Sequence, residues 1–112
     1  MILLFLALAA ESPPVEPPHK LTGPVSTLFS ADDYPKEAKR HGWQGTVVAD
    51  LAVSAEGQVT ECNIVQTSGY AVLDAKTCNL LRKRARFIPA KDAKGQPTAD
   101  VLRTPAIMWR LP

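Results

Sequence analysis

Cys62 and Cys78, His19 and His41, and Ser68 are the side chains from which bond-making chemistry in this chain would have to be built. Ser68 precedes Gly69, but nothing around it forms the G-x-S-x-G elbow of a hydrolase. A Ser-Gly pair between two regular elements is far more often a turn and a cap. His19 stands among prolines, and His41 adjoins Gly42, which reads as a helix stop. The carboxylates Asp50, Glu56, Glu61, Asp74, Asp92 and Asp100 are scattered, and no spacing forces two of them together. A zinc site from the two cysteines and two histidines is conceivable, yet neither cysteine belongs to a close pair and the spacing fits no finger or ribbon. No catalytic constellation, metal site or cofactor motif is expected, and the chain is read as a binding protein and not an enzyme.

The favoured chemistry is a disulfide between Cys62 and Cys78. An even cysteine count in a short exported chain points to one, and such bonds persist in the periplasm but are rare in the cytosol. Export is expected from residues 1–10, an uncharged aliphatic run with small residues at Ala7 and Ala9. That run is too short for a bilayer, which takes ~20 apolar residues. No Lys or Arg precedes it, so an inner-membrane anchor is expected only if the true start lies upstream. Residues 11–20, ESPPVEPPHK, hold four prolines and read as an extended spacer. The expected organisation is therefore a signal-like segment (1–10), a proline-rich linker with an irregular lead-in (11–32) and a folded domain (33–112). At 112 residues and a formal charge of +2, the chain offers one small core and no basic face for nucleic acid.

The elements that would position these residues follow from periodicity. Ser30, Asp32 or Asp33 stands ready to cap a short helix near Tyr34-Pro35, with Gly42 as its stop. Val47, Ala49, Leu51 and Val53 alternate with more polar neighbours and predict a strand with one apolar face. Ala55-Glu56-Gly57 predicts a turn, and residues 58–66 a second strand, together a hairpin. Leu73, Thr77, Leu80, Leu81 and Ala85 predict a helix over about 72–85. Arg82, Lys83, Arg84 and Arg86 then read as a solvated helix end that suits the helix dipole. Cys78 falls on the broad side of Leu81 and Ala85, and Cys62 shares strand parity with Ile64. That parity should face the helix; Val59 and Val65 then face away unless a bulge shifts the register. Residues 98–111 read as one extended segment with Ile107, Trp109 and Leu111 on one face. Pro105 sits inside it, and because proline cannot donate to a ladder, the strand belongs at a sheet edge. The expected fold is α+β, a two-layer sandwich with a three-stranded antiparallel sheet packed against two helices.

The order of these landmarks resembles the C-terminal domain of TonB-family energy transducers. The carriers are Tyr34-Pro35 with Ala38, then Gly45 opening the first strand in Trp43-Gln44-Gly45-Thr46-Val47, then Gly57-Gln58-Val59. Ser68-Gly69 and Leu73-Asp74 follow, then Arg86-Phe87-Ile88-Pro89-Ala90 and a glycine loop at Gly95. The resemblance covers roughly residues 33–112 and implies a TonB/TolA-like fold. It further implies a periplasmic domain that captures an extended segment, the TonB box, of an outer-membrane receptor or another envelope protein. The physical mode is β-augmentation on an exposed strand edge. With Pro105 marking the edge, the expected contact strand is Ala106, Ile107, Met108, Trp109 and Arg110, with a weaker contribution from Tyr34 and Pro35. The same edge would also serve a homodimer. An inner-membrane motor as partner depends on an anchor that the visible apolar run is too short to supply.

Overall fold

The computed structural model describes residues 28–112. The signal-like and linker segments, with His19, lie outside the described residues. Within them, a 3-10 turn at Ala31–Asp33 leads into helix α1 (Lys36–His41), strand β1 (Gly45–Val53), strand β2 (Val59–Gln66) and helix α2 (Ala71–Arg84). Two-residue strands β3 (Ala90–Lys91) and β4 (Pro97–Thr98) follow, then β5 (Asp100–Arg103) and β6 (Ile107–Trp109). None of the described helices is long and apolar enough to cross a membrane.

The fold is α+β, as the sequence predicts, with one difference in the sheet. β1 lies at the centre, β2 pairs with one side, and β5 and β6 both pair with the other. The single segment expected over 98–111 is thus divided among β4, β5 and β6, and the main sheet has four strands where three were expected. The cause is local: Ala49 N–H turns to the Thr104 hydroxyl and not to a main-chain carbonyl, and the register against β1 moves by one residue between β5 and β6. All pairs are antiparallel, with Asp50 opposite Arg103 on β5 and Thr46 opposite Met108 on β6. β3 and β4 form a separate hairpin closed by Asp92 and Gly95.

Period-two patterning of β1 determines the layers. Val47, Ala49, Leu51 and Val53 are buried against the helices. From α2 come Leu73, Thr77, Cys78, Leu80 and Leu81. Leu51, Leu73 and Leu81 are fully buried, each worth ~1.5–3 kcal/mol relative to exposure. The parity problem on β2 is resolved by two register shifts. Ala52 faces Glu61 while Val53 faces Val59, so Thr60 is extra, and a second shift makes Val65 extra. Bulges of this kind change which face a side chain takes. Val59, Cys62 and Ile64 therefore all pack toward the core, and Val65 is exposed.

Cys62 on β2 and Cys78 on α2 form a disulfide, with Cα atoms 5.7 Å apart. It fastens the helix to the hairpin strand that lies farthest from the terminal strands. The glycines of the hairpin are fixed by close approach. A Cβ on Gly45 would lie 2.5 Å from the Ser68 carbonyl oxygen, and one on Gly57 would lie 2.1 Å from that of Phe87. Separate landmarks of the sequence are thus in contact in space: Gly45 with Ser68, and Gly57 with Phe87.

Candidate functional site

β6 reaches its place through side chains that point inward. Ile107 and Trp109 are each 5% exposed, whereas Met108 between them is 56% exposed. The Trp109 indole N–H donates to Thr77 Oγ1 at 2.8 Å, and the Thr77 hydroxyl donates to the Leu73 carbonyl at 2.8 Å. The Trp109 ring is met edge-on by Phe29 (5.6 Å between centroids) and by Tyr34 (5.3 Å). The Tyr34 hydroxyl donates to the Trp43 carbonyl, and burial raises its pKa above the ordinary tyrosine value. It is therefore a neutral donor across the physiological range.

The ladder dictates which main-chain groups remain outside. Thr104 N–H donates to Ala49 O at 2.8 Å, and Ala49 N–H donates to Thr104 Oγ1 at 3.1 Å. The Ala49 main chain thus faces the β5/β6 side. Main-chain groups alternate along a strand, so Val47 and Gly45 face the same side, toward Ile107 and Trp109. Leu111 N–H continues inward to Gln44 Oε1 at 2.8 Å. Met108, and Arg110 after it, therefore turn N–H and C=O away from β1. Among the described residues no strand pairs with that side.

Beside this unpaired edge runs a groove of about 440 Å³, lined by Phe29, Ser30, Ala31 and Tyr34 on one wall and by residues 106–110 on the other. Most of its lining surface is apolar. The structure thus brings Tyr34 together with Ala106, Ile107, Met108, Trp109 and Arg110. Pro35 does not line the groove and instead occupies the N-cap of α1. Ile107 and Trp109 offer the groove a supporting floor, because their side chains belong to the core. Ala106, Met108 and Arg110 are exposed. Sequence reasoning missed Phe29 and Ala31, which stand in an irregular stretch with no periodicity to place them.

Capping follows a different pattern from the one expected. Ser30 N–H donates to Asp33 Oδ2 at 2.9 Å within the 3-10 turn, while α1 has Pro35 at its N-cap and no side-chain cap hydrogen bond. Ser30 and Asp33 thus act one turn earlier than the sequence predicts. Asp33 also receives Arg84, Nη1 at 2.7 Å and Nη2 at 2.9 Å, and Arg84 Nη1 donates to the Leu28 carbonyl at 2.8 Å. Hydrogen bonds from Arg84 and Ser30 hold the Asp33 carboxyl well below the usual range. Arg84 is therefore a clamp on the lead-in, not one more solvated cation of the helix end.

The remaining reactive side chains have structural partners. Ser68 Oγ lies 2.7 Å from Asp74 Oδ1, and Ser68 N–H donates to the same oxygen at 3.0 Å. Thr67 Oγ1 donates to Asp74 Oδ2 at 2.5 Å. Burial alone would raise the Asp74 pKa, but these hydrogen bonds outweigh it and lower it below the ordinary aspartate value. His41 stacks on Trp43, and Trp43 on Tyr70, with centroids 4.9 and 4.8 Å apart. Among the described residues no three His, Cys, Asp or Glu side chains are grouped to hold a metal ion.

A sequence model of the family described as Gram-negative bacterial TonB protein C-terminal matches residues 30–111. Over 61 residues the chain is 39% identical to Protein tonB2 of Pseudomonas aeruginosa, a stretch covering 54% of this chain and 22% of that protein. Over 66 residues it is 38% identical to Protein TonB of Pseudomonas putida, covering 59% of this chain and 27% of that protein. The match spans about a quarter of the length of these curated relatives.

Proposed function

The chain belongs to the family of Gram-negative TonB protein C-terminal domains, and we propose that it serves in TonB-dependent transport as a periplasmic binding module. The module takes an extended segment of an outer-membrane receptor as an added strand on β6. The observation that carries this reading is the unpaired outer side of Met108 beside a mostly apolar groove. Main-chain groups supply the affinity of such an added strand, and neighbouring pockets supply its selectivity.

The edge on the opposite side of β1 is less suited. β2 ends the sheet on the far side, but two bulges interrupt it at Thr60 and Val65. Bulges are a recurrent way of blunting an edge against pairing. β6 has no register shift along its three residues and has a groove ready beside it.

Titration with synthetic periplasmic segments of outer-membrane receptors, followed by backbone amide shifts, tests the reading. Shifts centred on residues 106–110 are expected. Met108→Pro removes the outward donor and should abolish binding, while Met108→Ala, which keeps the donor, should retain it. Undiminished binding by the proline variant would sink the edge-pairing mechanism.

A further inference from the structure

The groove beside β6 has two walls, and only one of them belongs to the sheet. The other is the lead-in before α1, where Phe29, Ser30 and Ala31 stand opposite residues 106–110. We propose that Phe29 and Ala31 form an apolar side-chain subsite for the docked strand, and that Arg84 and Asp33 hold this subsite in place although neither lines the groove. This rests on the edge-pairing reading given above.

Strand geometry gives the subsite its occupant. Side chains of an added strand alternate between the two faces of the sheet. Those in phase with Ile107 and Trp109 turn toward the helix layer, where Phe29, Ala31 and Tyr34 close the groove. Because most of that lining is apolar, the fitting partner is an extended peptide with aliphatic side chains at every second position.

The clamp has a geometry suited to holding a wall. Arg84 spans 51 positions of sequence to reach Asp33 with two parallel hydrogen bonds, and 56 to reach the Leu28 carbonyl. A bidentate guanidinium–carboxylate pair fixes orientation as well as distance. It flanks Phe29 and Ala31 on both sides in the chain. The Arg84 side chain is 45% exposed, and pairs at such sites add little to global stability. Its consequence is therefore local, in the placing of the lead-in against β6.

The test uses the full chain and two capped synthetic peptides, one of alternating valine and threonine flanked by glutamates, the other with alanine in place of valine. The wild type should bind the valine peptide at least roughly fivefold more tightly than the alanine peptide, given the apolar surface buried per side chain. Arg84→Ala and Phe29→Ala should each erase most of that preference, while the urea midpoint of Arg84→Ala stays close to wild type. Exchanging the charges (Asp33→Arg with Arg84→Asp) should restore the preference, which a role in overall stability alone would not predict. An unchanged preference in both Arg84→Ala and Phe29→Ala overturns the subsite. Equal binding of both peptides by the wild type, with amide shifts on β6, overturns the subsite and leaves edge pairing standing. Binding of neither peptide overturns both.

Discussion

The Trp109 indole N–H donates to the hydroxyl of Thr77 at 2.8 Å, across 32 positions of sequence, and both residues are buried. This bond joins the short terminal strand to the long helix at the level of the groove. Replacing Thr77 by valine keeps the shape and leaves the indole N–H without its partner. The expected loss is about 1–3 kcal/mol of unfolding free energy, measured by urea denaturation. Amide exchange along β6 should accelerate more than along β1, because the lost bond anchors β6 alone.

Reduction of the Cys62–Cys78 bridge should lower stability by about 3 kcal/mol on the chain-entropy model. For a domain stabilised by about 5–10 kcal/mol in total, that share is large. A Cys62→Ser, Cys78→Ser variant unfolded beside the oxidised and reduced wild type measures it. A variant as stable as the oxidised protein would show that the bridge closes no costly loop.

Gly57 has φ 84° and donates no side chain to a turn that packs on Phe87. Its carbonyl accepts the Phe87 N–H at 2.8 Å. Gly57→Ala should destabilise by more than about 1 kcal/mol, since a left-handed backbone and a steric overlap both oppose the new Cβ. Gly95 also has positive φ, at 75°, but nothing lies within 4 Å of its Cβ position. Gly95→Ala should therefore cost distinctly less in the same denaturation assay.

The extent to which such contacts were legible in advance varies with their range. The buried face of β1 was readable because Val47, Ala49, Leu51 and Val53 repeat at the strand period. Helix α2 followed from its own period, and the Cys62–Cys78 pairing from a chain that holds just two cysteines. The bulges at Thr60 and Val65 were not readable, because an extra residue leaves the composition of a strand unchanged. Pro105 correctly marked an edge, yet its position alone did not show that the strand would be divided. Within the groove, residues 106–110 were legible from that proline. Phe29 and Ala31 were not, since their place depends on a three-bond tie to Arg84 that no local period encodes.

Acid should act through Asp74 on the turn that precedes α2. Its folded pKa is lowered, because hydrogen bonds from Thr67 and Ser68 outweigh the opposing effect of burial. The unfolded chain therefore takes up this proton first, near the ordinary aspartate pKa of about 3.9. The contribution of these bonds is complete above that value and is lost as pH falls through the lower folded pKa. Urea midpoints between about pH 6 and pH 2 should fall less steeply in Asp74→Asn than in the wild type. Identical slopes would remove Asp74 from the account of acid unfolding.

The direct test of edge pairing is amide hydrogen exchange at Met108, with and without a bound receptor segment. The free protein should exchange this outward N–H rapidly, because no strand among the described residues pairs with it. In the complex its exchange should slow by at least roughly tenfold, in step with a new main-chain hydrogen bond, while the β2 edge stays unchanged. Continued rapid exchange at Met108 under saturation, with protection appearing on β2 instead, would contradict the account.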